Sequence, residues 1–540
     1  MPAHLRALVV ILVFALAVFL LAKAPITARA CSEQDFTRRR NLWFALTLSA
    51  FLAHSFWLFV LVASCVLVVG MRTESNRFAL YLSLVLTLPY LAAELPGLGF
   101  FNQLFSLTQM RLLALVVLLP TYLTLRRRPG VEPFGRLLCD KLLLGSFALD
   151  IVLTFPHTTF TNFLRVSVVY PFIDVFLIYY VASRSLRSLT AFRDAFGAFV
   201  VGAMVFCAIL AFEFGRHWLL YRGLGAALGA SSASESIYLL RAGLLRAVGT
   251  AQDSIVAGYT CAIAIGLYMY VMTLVPNVAW RSLGMLVLIT GIIAALARAP
   301  WLGAAMMIML FIMLGPTPIA NLAKLAVAGL VAVPILLSTG AGDTIVDFLP
   351  WVGSVDARNV DGRELLATVA LQIIGEYPFF GRYDFALDPA LEQLRGGDGR
   401  IDLVNTYIII ALGGGYVSLA LFVGVAAVAA VGIVVGLFRV GDRRDERHAL
   451  GRSLLATLVG VLFIIGTVSP IFFVYPLYWC LIGLAVGYGC LIARGEPHLK
   501  SDAAASAQGN PAPRARWATA TRKEAAASTP VPRGETGLRR

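Results

Sequence analysis

The chain has 540 residues, of which 59% are hydrophobic and only 14% charged, with a mean hydropathy of +0.82; soluble domains average roughly 45–50% apolar and 25% charged residues, so a water-soluble fold is excluded. The formal charge of +14 does not point to nucleic acid, because the Arg and Lys residues cluster in short loops beside apolar runs, as the cytoplasmic-side bias of membrane proteins predicts. Seven cysteines, odd in number and mostly inside apolar segments, give neither a disulfide framework nor metal-ligand spacing and are assigned to packing.

Lipid offers no partners to backbone N–H and C=O groups, so a crossing takes about 20 mostly apolar residues as helix. Such runs are predicted at 7–22, 43–70, 78–93, 111–125, 142–156, 166–182, 195–213, 254–275, 282–297, 301–315, 323–338, 406–438, 453–469 and 471–493. Stretches such as Phe422 to Phe438 do not alternate in polarity as barrel strands would. The predicted fold class is therefore an all-α, polytopic helical membrane bundle of about 12–14 transmembrane helices with a large external loop. Three parts are expected: N-terminal transmembrane helices over 1–195, a transmembrane core over 196–495, and a disordered cytoplasmic tail over 496–540, which is rich in Ala, Pro, Ser and Thr. The first 30 residues read either as an uncleaved span or as a signal peptide ending at Ala28-Arg29-Ala30.

Basic loops set the orientation. Arg126, Arg127, Arg128, Arg136 and Lys141, then Arg184, Arg187 and Arg193, and late in the chain Arg439, Arg443, Arg444, Arg447 and Arg452 are expected inside. Alternation then sends the hydrophilic loops at about 214–253 and 339–405 outside. Lys23, Arg29 and the triplet Arg38, Arg39 and Arg40 resist the scheme, since the same count puts their loop outside. Mid-span charges are few, Asp150, Asp174 and Glu213 being the main ones.

Long loops tend to carry function, and two arginines sit on the outer side where solvent is scarce. Arg298 lies in Ala295-Leu296-Ala297-Arg298-Ala299-Pro300-Trp301-Leu302-Gly303, and Arg246 precedes Ala247-Val248-Gly249-Thr250 just before a span. A cation at a membrane border commonly snorkels to the interface. The competing reading is an anion clamp, because a guanidinium gives two charge-assisted hydrogen bonds at once and stays protonated when desolvated.

Three stretches, Arg246 to Gly258, Ala297 to Gly303 and Arg363 to Tyr416, occur in an order that resembles the O-antigen ligase and polysaccharide polymerase family of bacterial envelope proteins, the Wzy and WaaL type. In the last stretch Arg363-Glu364-Leu365-Leu366 leads to Glu376-Tyr377-Pro378-Phe379-Phe380-Gly381, and Asn405-Thr406-Tyr407 opens a helix ending near Gly413-Gly414-Gly415-Tyr416. The likeness covers roughly residues 195 to 420. It implies a metal-independent glycosyltransferase without cofactor in the bacterial inner membrane. Such an enzyme moves a glycan from an undecaprenyl-pyrophosphate carrier to an acceptor hydroxyl on the periplasmic side. Its implied partners are that lipid-linked glycan, membrane lipids, a chain-length regulator and a flippase, with no nucleic acid.

On this resemblance Arg246, Arg298 and Arg363 hold the pyrophosphate. Family ligases place a His immediately before the Asn of the late turn, where this chain has Val404; the absence moves the expectation from ligase toward polymerase. Asp402 is the substitute base, because a desolvated carboxylate can accept a hydroxyl proton, although an Asp there can equally cap the following helix. Glu376, Asn405 and His217 are further candidates. A transporter of lipid-linked sugars is the alternative from another class, expected to show internal repeats and charged or broken helices at mid-membrane; no clear repeat is present.

Overall fold

A computed structural model describes residues 2–97, 103–230, 238–241, 243–337, 357–394, 401 and 403–495. The chain divides into a body, Met1–Ala493, and a short unit from Arg494 to Arg540; the predicted tail at 496–540 lies outside the described residues. Among the described residues the body is helical apart from two small hairpins. Its helices are α1 (Ala3–Thr27), α2 (Glu33–Leu52), α3 (Phe56–Met71), α4 (Arg77–Leu84), α5 (Gln109–Arg127), α6 (Leu138–Thr154), α7 (Phe160–Ser185) and α8 (Leu189–Arg216). After a loop come α9 (Ser254–Leu274), α10 (Val278–Ala294), α11 (Arg298–Met313), α12 (Pro318–Leu337), α13 (Ala357–Glu376), α14 (Thr406–Val440), α15 (Glu446–Ile465) and α16 (Val474–Arg494).

Eight of these, α1, α5, α7, α8, α9, α14, α15 and α16, are long and apolar enough to cross a membrane; α3, α10, α11 and the first part of α12 are shorter apolar helices. The chain is a multi-pass membrane protein. Side chains such as Leu20, Leu61, Val69, Val152, Leu286 and Phe438 stand exposed on the periphery, as a lipid-facing surface requires.

The predicted 43–70 run is two helices. Ala53 takes extended backbone, and Ser55 restarts the chain by accepting the Leu58 N–H at 3.2 Å. The predicted 78–93 span stops at Leu84 and continues into a hairpin of β1 (Ala92–Pro96) with β2 (Gln103–Thr108), a strand element absent from the all-helical expectation.

The extra hairpin of helices changes the topology at the N-terminus. The Arg39 guanidinium donates to Asp194 at 2.6 and 2.9 Å and to Glu74 at 2.5 Å, which ties the start of α2 to the start of α8. Arg193, one residue earlier on α8, pairs with Glu446 at the start of α15. Arg38, Arg39 and Arg40 therefore belong with the other basic loops at one end of the bundle, and the outer placement of this triplet is corrected. With the long 43–70 run counted as two crossings, alternation puts the triplet on the same side as the other arginine loops.

Two of the three mid-span charges, Asp174 and Glu213, find their places. Asp174 on α7 is gripped by Arg111 of α5 at 2.7–3.1 Å, and that guanidinium lies 3.5 Å from the Tyr170 ring centroid. Asp194 and Glu213 sit near the two ends of α8, about 30 Å apart at 1.5 Å per residue, so Glu213 is at the border of the span rather than its middle.

Candidate functional site

The end of the bundle away from the arginine loops carries the segments singled out by sequence. The loop after α8 is anchored by Glu213, whose buried carboxylate accepts the N–H groups of Leu220 (2.8 Å), Val248 (3.1 Å) and Gly249 (2.8 Å). Between those anchors the chain forms a short hairpin, β3 (Leu240–Arg241) with β4 (Leu244–Leu245). Arg246 follows directly.

This hairpin packs on the turn between α10 and α11. Ala247 N–H donates to the Ala294 carbonyl at 3.1 Å, and the Arg241 guanidinium donates to the Leu296 carbonyl at 3.0 Å. The chain then enters α11, whose first residue is Arg298. At the start of α9, Gly258 leaves room for Pro300 and Ala297: a Cβ on it would fall 2.9–3.3 Å from them. The Arg246 and Arg298 segments are thereby joined at one end of the molecule.

The electrostatics of the two arginines differ. Arg246 is half-buried, and its Nε is buried with no hydrogen-bond partner among the described residues. Burial lowers its proton affinity, and the nearby Asp253 carboxylate opposes the shift, so the cation gains from any anion that reaches it. Arg298 sits at a helix N-terminus that no side chain caps. The helix dipole there disfavours a cation and favours an anion.

Backbone strain concentrates at the same end. The four non-glycine residues with left-handed backbone among the described residues are His217, Gln252, Leu296 and Phe472, with φ of 47–61°. Each costs on the order of 1–3 kcal/mol and persists only when surrounding structure over-determines it. Leu296 lies two residues before Arg298, and Gln252 directly precedes Asp253.

The third stretch folds onto itself nearby. α14 is broken at Gly415 (φ +65°), where the Tyr416 N–H donates to Pro378 O at 2.7 Å and the Val417 N–H to Phe379 O at 3.2 Å. The Arg382 N–H donates to Leu412 O at 2.8 Å. The Glu376–Gly381 and Gly413–Tyr416 motifs are thus packed on one another. A side chain at Gly381 or Gly415 would collide with the opposing backbone.

The start of α14 is pinned to the α15–α16 connection by Thr406 Oγ1 on Val468 O (2.6 Å), Ser469 Oγ on Leu403 O (2.8 Å) and Tyr407 OH on Leu462 O (2.6 Å). α15 in turn meets α11 where Gly303 faces Ile464.

The remaining candidates are placed as follows. Asn405 is the cap of α14, its Oδ1 accepting the N–H groups of Tyr407 (3.0 Å) and Ile408 (3.2 Å); the capping role considered for Asp402 is filled by Asn405. Asp402 itself lies outside the described residues. Arg363 is within α13, with its side chain outside the described part. Glu376 is exposed at the end of α13, and His217 is an exposed helix cap whose carbonyl accepts the Tyr238 hydroxyl at 3.3 Å.

Sequence reading missed Asp253 and Ser254. Asp253 caps α9 through Oδ1 (2.7 and 3.0 Å to Ile255 and Val256 N–H) while its charge reaches Arg246, and the buried Ser254 hydroxyl has no hydrogen-bond partner among the described residues. The Asp-Ser pair opening an apolar run was the available signal. Among the described residues no group of three or more His, Cys, Asp or Glu is arranged to hold a metal ion. No family model, curated protein or solved structure matches the chain.

Proposed function

We propose that the protein is a polysaccharide polymerase that transfers a glycan from an undecaprenyl-pyrophosphate-linked donor to an acceptor sugar hydroxyl. The site is the end of the bundle bearing Arg246 and Arg298, taken to be periplasmic because the arginine-rich loops occupy the other end. The observation carrying this reading is the union of two arginine segments, distant in sequence, through the Ala247–Ala294 backbone bond. One of those arginines has a buried nitrogen left without a partner among the described residues.

The acceptor oxygen bonds to the anomeric carbon as the anomeric carbon–oxygen bond to the pyrophosphate breaks. The departing charge is stabilised by the guanidiniums and the N-terminal amides of α11. Holding both substrates in line supplies much of the remaining acceleration. The hydroxyl proton passes to a carboxylate, for which Asp402 is the candidate.

Reconstitution with a purified lipid-linked repeat unit tests the proposal. Wild-type protein should produce a ladder of lengthening glycans. Arg246→Ala and Arg298→Ala should each lower the yield by about 10² or more, and Asp402→Ala by less. Wild-type ladders from both arginine variants would sink the clamp. Supplying a lipid-anchored core oligosaccharide in place of the growing glycan distinguishes a ligase from a polymerase.

A further inference from the structure

A polar cavity opens at the opposite, arginine-rich end. It has a volume of about 780 Å³ and lies where the α1–α2 turn, the α3–α4 turn, the end of α5 and the α7–α8 turn meet. That size is typical of pockets for small ligands.

Its charges divide into two sets. The carboxylates on its wall, Asp35, Glu74 and Asp194, are already engaged. Arg39 bridges Asp194 and Glu74 at 2.5–2.9 Å, and Arg38 and Ser75 hold Asp35 at 2.6 and 2.7 Å. Burial pushes the Asp35 carboxyl up, but the hydrogen bonds of Ser75 and Ser32 and the Arg39 charge outweigh it and leave it below its usual range. It therefore stays ionised and internally compensated. The other set is Arg29, Arg77 and Arg128, which line the same cavity. None of their guanidiniums forms a hydrogen bond or ion pair among the described residues. The wall also carries the Ser185 hydroxyl, buried and without a partner among the described residues.

Arg38 and Arg39 offset two of the three acids, and the three further guanidiniums, from three separate elements, outweigh the remaining negative charge and leave the cavity net positive. Guanidinium forks match phosphate oxygens better than any neutral group. We propose that this cavity is a binding site for a phosphate-bearing anion, distinct from the site at the Arg246–Arg298 end. The phosphate can come from a lipid head group in the adjoining leaflet or from a soluble phosphorylated molecule.

The test uses the full chain in nanodiscs. Inorganic pyrophosphate is titrated by calorimetry in phosphatidylcholine discs, and retention of phosphatidylglycerol is counted by native mass spectrometry. Wild-type and Arg246→Gln protein should both bind at this end, whereas Arg29→Gln/Arg77→Gln/Arg128→Gln should lose at least about tenfold in affinity for whichever probe binds. Loss for pyrophosphate identifies a soluble source, and loss for phosphatidylglycerol alone identifies a head group.

A second measurement leaves the three arginines intact. Thr190→Cys places a thiol on the exposed rim, and its maleimide labelling should slow at saturating probe. Wild-type affinity of the triple variant for both probes, or labelling of Thr190→Cys that neither probe slows, overturns the proposal.

Discussion

Arg39 shows how a residue that breaks a topological rule becomes the key to it. Arg39 is 4% exposed and joins Glu74 and Asp194, so its removal leaves two buried carboxylates with only the partly exposed Arg38, 3.6 Å from Glu74, to offset them. Breaking one member of such a cluster costs about 3–5 kcal/mol; Arg39→Ala should lower the thermal midpoint in detergent sharply, and an unchanged midpoint would contradict the buried triad. Cys31, next to this cluster, is pushed up to about 12 by burial, against the opposing pull of Arg39. The thiolate is the reactive form, so native protein at pH 8 should alkylate at Cys31 more than about tenfold slower than the unfolded chain, as read by peptide mass spectrometry. The raised value also means that the folded state keeps a proton the unfolded chain loses. This contribution to stability is present below the usual thiol value of about 9 and is lost as pH rises toward 12.

Among the elements, α14 carries the most information. A 35-residue helix is longer than one crossing needs, and its break at Gly415 gives its first turns over to docking the 377–382 segment. Mid-membrane breaks of this kind are also a mark of transporters, but here the freed backbone groups are taken by the loop motif itself. Gly415→Ala requires left-handed backbone from a residue with a Cβ that also points into Phe379. It should cost on the order of 1–3 kcal/mol and reduce glycan transfer in the reconstituted assay without lowering expression. A fully active Gly415→Ala would show that the motif contact has no bearing on the site. The α10–α11 turn makes the complementary point: Leu296 is held in left-handed backbone because Ala247 holds the Ala294 carbonyl before it and Arg241 holds its own carbonyl.

At the scale of the whole molecule, polarity between the two ends is the organising feature. One end gathers the arginine loops, and the other gathers the strained turns and the three family-like stretches. Cysteine accessibility tests this directly. Arg40→Cys and Arg444→Cys should label from the same side of a sealed vesicle, and Arg222→Cys from the other side. Labelling of Arg40→Cys together with Arg222→Cys would restore the topology expected from the apolar runs and break the Arg39–Asp194 link.

Composition alone determined that this chain lives in a bilayer as helices, because apolar runs of crossing length leave the backbone no other way to satisfy its hydrogen bonds. Basic-loop bias likewise placed Arg246 and Arg298 on one side, since it depends on local charge alone. The break between Leu52 and Phe56 was legible only in part: the 43–70 run is too long for one crossing and holds His54-Ser55 at the break, but the extended backbone at Ala53 that turns the chain there is set by context. The pairing of Arg39 with Asp194, the contact of Gly381 with Gly415 and the joining of the Arg246 hairpin to the Leu296 turn join positions far apart in the chain. Periodicity and spacing report only on neighbours along one helix, so only the packing of the bundle could decide which distant segments share an end.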